Sequence, residues 1–183
     1  MKSSLEKYSK LLDQFSLGNL TTEGFHTKSK NLSFLVKNDL PKAIEVLREI
    51  DTDALETLRS YSDRVYDLAL SIKMTLSGGG KIFISGCGAT GRLALSLEKI
   101  YRDTFKSENV IGFIAGGDFA LIKSVESFED SAKYGERQLS ELGFSEKDLL
   151  VAVTEGGETS FVLGTVTKAL EVSKNKPFFL YCN

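Results

Sequence analysis

The chain has 183 residues, 42% of them hydrophobic and 26% charged, with a formal net charge of −2. This length fits one domain with appended elements and allows a real core, and the near-neutral balance offers no basic surface for nucleic acid or an anionic membrane. No apolar run reaches the roughly 18 residues a membrane helix needs, and Cys87, Cys182 and the single His26 have no metal-ligand spacing.

The first 80 residues predict helices. Leu5, Tyr8, Leu11, Leu12 and Phe15 recur at helical spacing over residues 3–16. Residues 17–33 break the pattern and read as an irregular polar segment. A helix over about 40–50 has Asp39 as its candidate N-cap, with Pro41 tolerated in the first turn. A second helix, capped by Thr52, carries Leu55, Leu58, Val65, Leu68, Ile72 and Leu76 on one face and stops at Gly78-Gly79-Gly80. Residues 1–51 are therefore expected to form an N-terminal helical arm, and 52–183 the main domain. The opening "MKSSLEKYSK" lacks a signal-peptide core, so a reducing cytoplasm is the expected location.

From residue 81 the pattern changes. "KIFIS", "VIGFIA", "LLVAVT" and "PFFLYC" are short bulky runs, as expected of strands buried on both faces. Helical patterns lie between them at about 91–104, 118–142 (in one or two pieces) and 159–173. Alternating strands and helices imply an α/β fold: a three-layer, doubly wound parallel sheet behind N-terminal helices. The fourth strand has no helix after it, so the sheet is expected to be incomplete at the C-terminal end.

Ligands of such sheets bind beyond the carboxyl ends of the strands. Three of those ends run into "GCGATGR" (86–92), "AGGD" (115–118) and "TEGGET" (154–159), and the fourth runs to Asn183. The GxGxxG within the first is weak as a dinucleotide fingerprint, because the acid near the end of the next strand, Asp118, comes only after two glycines. Asp118 reads better as a helix N-cap, and no nucleotide cofactor is expected. Gly88, Ala89, Thr90 and Gly91 instead turn into a helix N-terminus, which favours an anion. Arg92 in that first turn opposes the helix dipole unless an anion is bound.

"TEGGET" resembles the second phosphate loop of the sugar isomerase (SIS) fold, Ser/Thr-x-Ser-Gly-x-Thr. Thr154, Gly157 and Thr159 match, and Gly156 replaces the middle serine. "SGCGATGRLA", "GFIAGGDFALIKSVESFEDSA" and "TEGGETSFVLG", with "LTTE" upstream, are similar to two related groups from about Leu20 to Asn183. These groups are the N-acetylmuramic acid 6-phosphate etherases and the glucokinase regulatory proteins.

The resemblance implies the flavodoxin-like SIS fold and a ligand that is a phosphorylated hexose or amino sugar. Thr90 and its neighbours, Thr154 and Thr159 would contact its phosphate or hydroxyls. It further implies a homodimer and, for the regulatory group, a sugar kinase partner. Etherase chemistry wants two acids, one to take a proton and one to assist the departing lactate. One maps to Glu129, with Glu126 nearby. The other maps to Ile100, which transfers no proton. Glu98 lies two positions earlier, about 200° around the helix. Intact phosphate loops beside a missing acid imply a sensor or regulator, with a lyase as the alternative. Glu155 and Glu158, at the variable positions of the loop, are expected to point away from the anion.

Overall fold

The computed structural model describes residues 24–123, 125 and 127–181. The expected helix over 3–16, Glu126, Cys182 and Asn183 lie outside the described residues. The chain divides into two compact units, Met1–Ser62 and Asp63–Asn183.

The first unit contains α1 (Leu32–Asn38) and α2 (Leu40–Ser60). Asp39 caps α2, its carboxylate accepting the Lys42 N–H at 3.1 Å, with Pro41 in the first turn. The expected start of a new helix at Thr52 is not observed. Residues 50–60 hold no glycine or proline to break α2, and the Thr52 hydroxyl donates to the Arg48 carbonyl at 2.8 Å inside the continuous helix. The chain breaks instead at Tyr61, and α3 runs from Ser62 to Ser77. The apolar stripe read over 52–76 divides accordingly. Leu55, Leu58 and Val65 are exposed, while Leu68, Ile72 and Leu76 pack against the sheet.

The second unit is the predicted α/β layer structure. Strands β1 (Ile82–Gly86), β2 (Val110–Ile114), β3 (Leu149–Val153) and β4 (Phe178–Leu180) are parallel in the order β2-β1-β3-β4. Between them run α4 (Gly88–Phe105), α5 (Ala132–Glu141) and α6 (Ser160–Val172). Because side chains alternate along a strand, Ile82 and Ile84 enter one core with Ala94 of α4 and the α3 residues above. Phe83 enters the other, with Leu139 of α5 and Phe161, Val162 and Ala169 of α6. Helices thus cover both faces.

The 118–142 stretch resolves into a 3-10 turn at Asp118–Leu121 and the separate α5. Asp118 lies in the first turn of the 3-10 element, and Gly117 occupies the cap position.

Two buried polar contacts set the frame. Ser85 of β1 and Thr165 of α6, both fully buried, have hydroxyls 2.9 Å apart. Thr165 gives its proton to the Val162 carbonyl at 2.7 Å, so Ser85 donates to Thr165. This bond holds the strand that feeds the first glycine loop at a set distance from the helix that leaves the third. At the opposite, amino end of the sheet, Asp148 is 4% exposed. Its carboxylate accepts the Lys81 N–H, the Ser145 N–H and the Ser145 hydroxyl, each at 2.7 Å.

Candidate functional site

After β1 the chain returns along one side of the sheet to β2, then crosses to the other side for β3. The carboxyl ends of β1 and β3 therefore form the topological switch point, where adjacent loops diverge and leave a crevice. The loops after these two strands are the glycine loops singled out in the sequence.

In the first, Gly86 and Gly91 come too close for side chains. A Cβ on Gly91 would lie 2.4 Å from Ile114 Cγ1 and 2.9 Å from the Gly86 carbonyl. The Cys87 N–H donates to the Thr90 hydroxyl at 3.1 Å, and that hydroxyl donates to the Cys87 carbonyl at 2.8 Å. Thr90 thus uses its only hydroxyl proton to close the turn. Gly88, Ala89 and Arg92 are exposed at the head of α4.

In the third loop, Thr154 is 4% exposed, and its N–H donates to the Leu180 carbonyl at 3.0 Å. Its hydroxyl lies 2.8 Å from that of Thr159, the N-cap of α6, so the two threonines clasp the loop at its ends. Glu155 and Glu158 are exposed. None of the amides from Glu155 to Ser160 donates to another group among the described residues. Unpaired amides in a glycine turn leading into a helix N-terminus form an anion-binding concavity.

Glu129 is exposed on the segment between the 3-10 turn and α5. Its carbonyl accepts the Phe161 N–H at 2.9 Å, which ties it to the first turn of α6. Phe128 anchors the same segment by packing on the core and stacking on Tyr134, with ring centroids 4.8 Å apart. Ser127, just before it, holds φ +71°, a conformation unfavourable for a residue with a side chain. Glu129 and Arg92 line a cavity of about 110 Å³ whose other walls include Cys87, Gly88, Ile114 and Val125. Burial, and secondarily the Glu129 charge, push the Cys87 thiol up to about 12. It stays protonated at neutral pH and is no nucleophile.

The position that maps to a second acid does not supply one. Ile100 is 61% exposed on α4. Glu98 is committed elsewhere, one oxygen accepting the Gly112 N–H of the edge strand β2 at 2.8 Å and the other paired with Arg102. Glu98→Ala is expected to lower stability by about 1–3 kcal/mol, through loss of a charge-assisted bond and an amide left unpaired. Urea unfolding measures this, and unchanged stability would free Glu98 for chemistry.

The structure therefore brings Gly88, Ala89, Gly91, Arg92 and Glu129 to one cavity mouth or its supporting turn, and Thr154, Gly156, Gly157 and Thr159 to the neighbouring loop. Sequence reading missed Val125 and Ile114 as cavity walls. Their apolar character reads equally well as core, and only the tertiary fold brings Val125 to the opening.

A family model described as the glucokinase regulatory protein N-terminal SIS domain matches residues 65–170, more than half of the chain. The N-acetylmuramic acid 6-phosphate etherase of Photobacterium profundum is 31% identical over 162 residues, covering 87% of this chain and 53% of the relative. That of a Picosynechococcus is 33% identical over 172 residues, covering 91% and 55%. The chain spans about half the length of the curated relatives it matches. Among solved structures, a phosphoheptose isomerase from Francisella tularensis superposes with a TM-score of 0.59 at 22% identity, covering 79% of this chain and 75% of that one. One from Neisseria gonorrhoeae gives 0.56 at 17%, covering 78% and 73%. At those identities the likeness carries the fold alone.

Proposed function

We propose that this chain, which belongs to the family of glucokinase regulatory protein N-terminal SIS domains, binds a phosphorylated hexose or amino sugar at the switch point and acts as a sensor or regulator. The observation that carries this reading is the 154–159 loop. Its amides, which donate to no group among the described residues, lie between the clasped Thr154 and Thr159 and supply the donors a phosphate needs, while Glu155 and Glu158 are exposed at its variable positions. The exposed head of α4, with Gly88, Ala89 and Arg92, supplies a second positive edge. Thr90 supports that edge through the turn rather than through its own proton. Gly156 removes one hydroxyl donor, so the backbone does most of the holding.

Regulation is favoured over turnover by the same geometry. Among the described residues Glu129 is the carboxylate at the cavity, Ile100 replaces the partner acid, and Glu98 is occupied by Gly112 and Arg102. Thermal-shift titration tests this with fructose 6-phosphate and N-acetylmuramic acid 6-phosphate. Ligand at about 100 times its Kd is expected to add roughly 2.7 kcal/mol, with no lactate released from the second compound. No stabilisation by either rejects the reading.

A lyase of the etherase type is the second reading, supported by Glu129 and Arg92 lining the same cavity and by the etherases among the relatives. It expects lactate release that Glu129→Ala abolishes, whereas unchanged release removes Glu129 from the chemistry. Either way the reading includes a cytoplasmic homodimer and, for the regulator, a sugar kinase as partner. The exposed Leu40, Ile44, Leu47, Leu55 and Leu58 of α2 offer an apolar stripe for a second copy. No described helix is long and apolar enough to cross a membrane.

A further inference from the structure

We infer that Tyr181 is a positioning residue for the phosphate loop: its ring restrains the Gly156-Gly157 pair, so that the loop amides are aligned before the ligand arrives. The inference rests on the sugar-phosphate reading above and identifies what sets the affinity of that site. A pair of adjacent glycines has no side chain with which to pack itself, and glycine loses more backbone freedom on ordering than any other residue. The two ends of the loop are secured by the Thr154–Thr159 hydroxyl contact and by the Thr154 N–H on the Leu180 carbonyl. The middle is not secured by either bond. Gly157 sits there at φ +81°, and a Cβ built on it would lie 3.1 Å from Tyr181 Cδ2 and 3.3 Å from Cγ. The aromatic face therefore lies directly against the bare α-carbon.

The ring is itself supported. Phe179 and Tyr181 are two residues apart on the last strand and the segment leaving it, so they lie on one side. Their centroids are 5.3 Å apart at 37°, and Phe179 packs on the core beneath α6. Tyr181 remains 51% exposed, so it braces the loop from the surface without being part of the interior. The chain of support runs from core to Phe179, to Tyr181, to Gly157 and so to the amides. A ligand that finds those amides already aligned does not have to supply the ordering itself.

The ring, and not the hydroxyl, does this work, which makes the inference testable by a pair of variants. Calorimetric titration with fructose 6-phosphate and, separately, with inorganic phosphate compares wild type, Tyr181→Phe and Tyr181→Ala. Tyr181→Ala is expected to weaken both ligands by a similar factor, about three- to tenfold, the cost of ordering one or two residues on binding. Tyr181→Phe stays within about twofold of wild type on the same ground. Backbone order parameters give a second readout in the ligand-free protein. Gly156 and Gly157 are expected to fall below about 0.6 in Tyr181→Ala and to stay ordered in Tyr181→Phe.

Equal affinity and equal order in Tyr181→Ala overturn the inference. A Tyr181→Phe variant as weak as Tyr181→Ala also overturns it, because the hydroxyl would then be touching the ligand. A wild type that binds neither phosphate compound removes the sugar-phosphate reading and this inference together. A wild type that binds, with Tyr181→Ala unchanged, removes this inference alone.

Discussion

Gly91→Ala is expected to destabilise the protein by about 3 kcal/mol, the overpacking cost of a methyl with no room to enter. The new Cβ would meet Ile114 Cγ1 at 2.4 Å, Ile114 Cβ at 2.8 Å and the Gly86 carbonyl at 2.9 Å. None of these can yield cheaply. Ile114 is 2% exposed at the end of β2, and the Gly86 carbonyl already accepts the Ala115 N–H at 3.1 Å. The first turn of α4 must back away from the strand, and Gly88, Ala89 and Arg92 move with it. For a chain of this size the melting midpoint should drop by about 6–12 °C, and the stabilisation by a hexose phosphate should shrink in the fraction that stays folded. A fall of under about 1 kcal/mol, within the range of an ordinary surface substitution, would mean that the turn does not press on β2 as described.

The second large effect is expected at the opposite end of the sheet. Asp148→Ala removes the acceptor of three hydrogen bonds and leaves the Lys81 N–H, the Ser145 N–H and the Ser145 hydroxyl unpaired. The expected loss is about 2–4 kcal/mol, since stranded donors cost more than the bonds themselves contributed. Asp148→Asn should recover little. One carboxamide position is an NH2, so it sets a donor against either the Lys81 amide or the Ser145 pair. Because these groups precede β1 and β3 while the glycine loops follow them, sugar-phosphate affinity of the folded protein should not change. Urea unfolding with and without ligand separates the two quantities. An Asp148→Asn variant as stable as wild type would show that the buried charge is dispensable.

The two substitutions mark which parts of the molecule a linear reading reaches. The bulky runs at 81–85, 110–115, 149–154 and 177–182 announce buried strands, and the glycine turns after the first three announce where a ligand would sit. Both follow from local chemistry. A strand covered on two faces must be apolar throughout, and a chain leaving it sharply must be able to turn. The likeness of "SGCGATGRLA" and "TEGGETSFVLG" to SIS-domain proteins rests on the same short-range constraints, and the family comparison matches an SIS domain over residues 65–170.

Helix continuity was less legible. Thr52 has the chemistry of a cap, but a threonine hydroxyl can equally turn back onto the carbonyl four residues before it, as it does on Arg48. Nothing within a few residues of Thr52 decides between these.

What the sequence alone determined is therefore the layer order, the glycine loops and their place at the carboxyl ends of the strands. How individual polar groups are used is settled by folding. Thr90 reads as a phosphate contact, and only the fold shows that its hydroxyl closes the turn on Cys87. Glu98 reads as turned about 200° from the missing acid's place, and only the fold shows that it holds Gly112, 14 positions away in sequence. Tyr181 reads as part of a strand and instead braces Gly157. Burial follows a local pattern because every residue on a covered face meets the same apolar surroundings. A hydroxyl, carboxylate or exposed ring takes its role from whichever single group folding brings within a few ångströms, and that neighbour is chosen by the packing of the whole sheet.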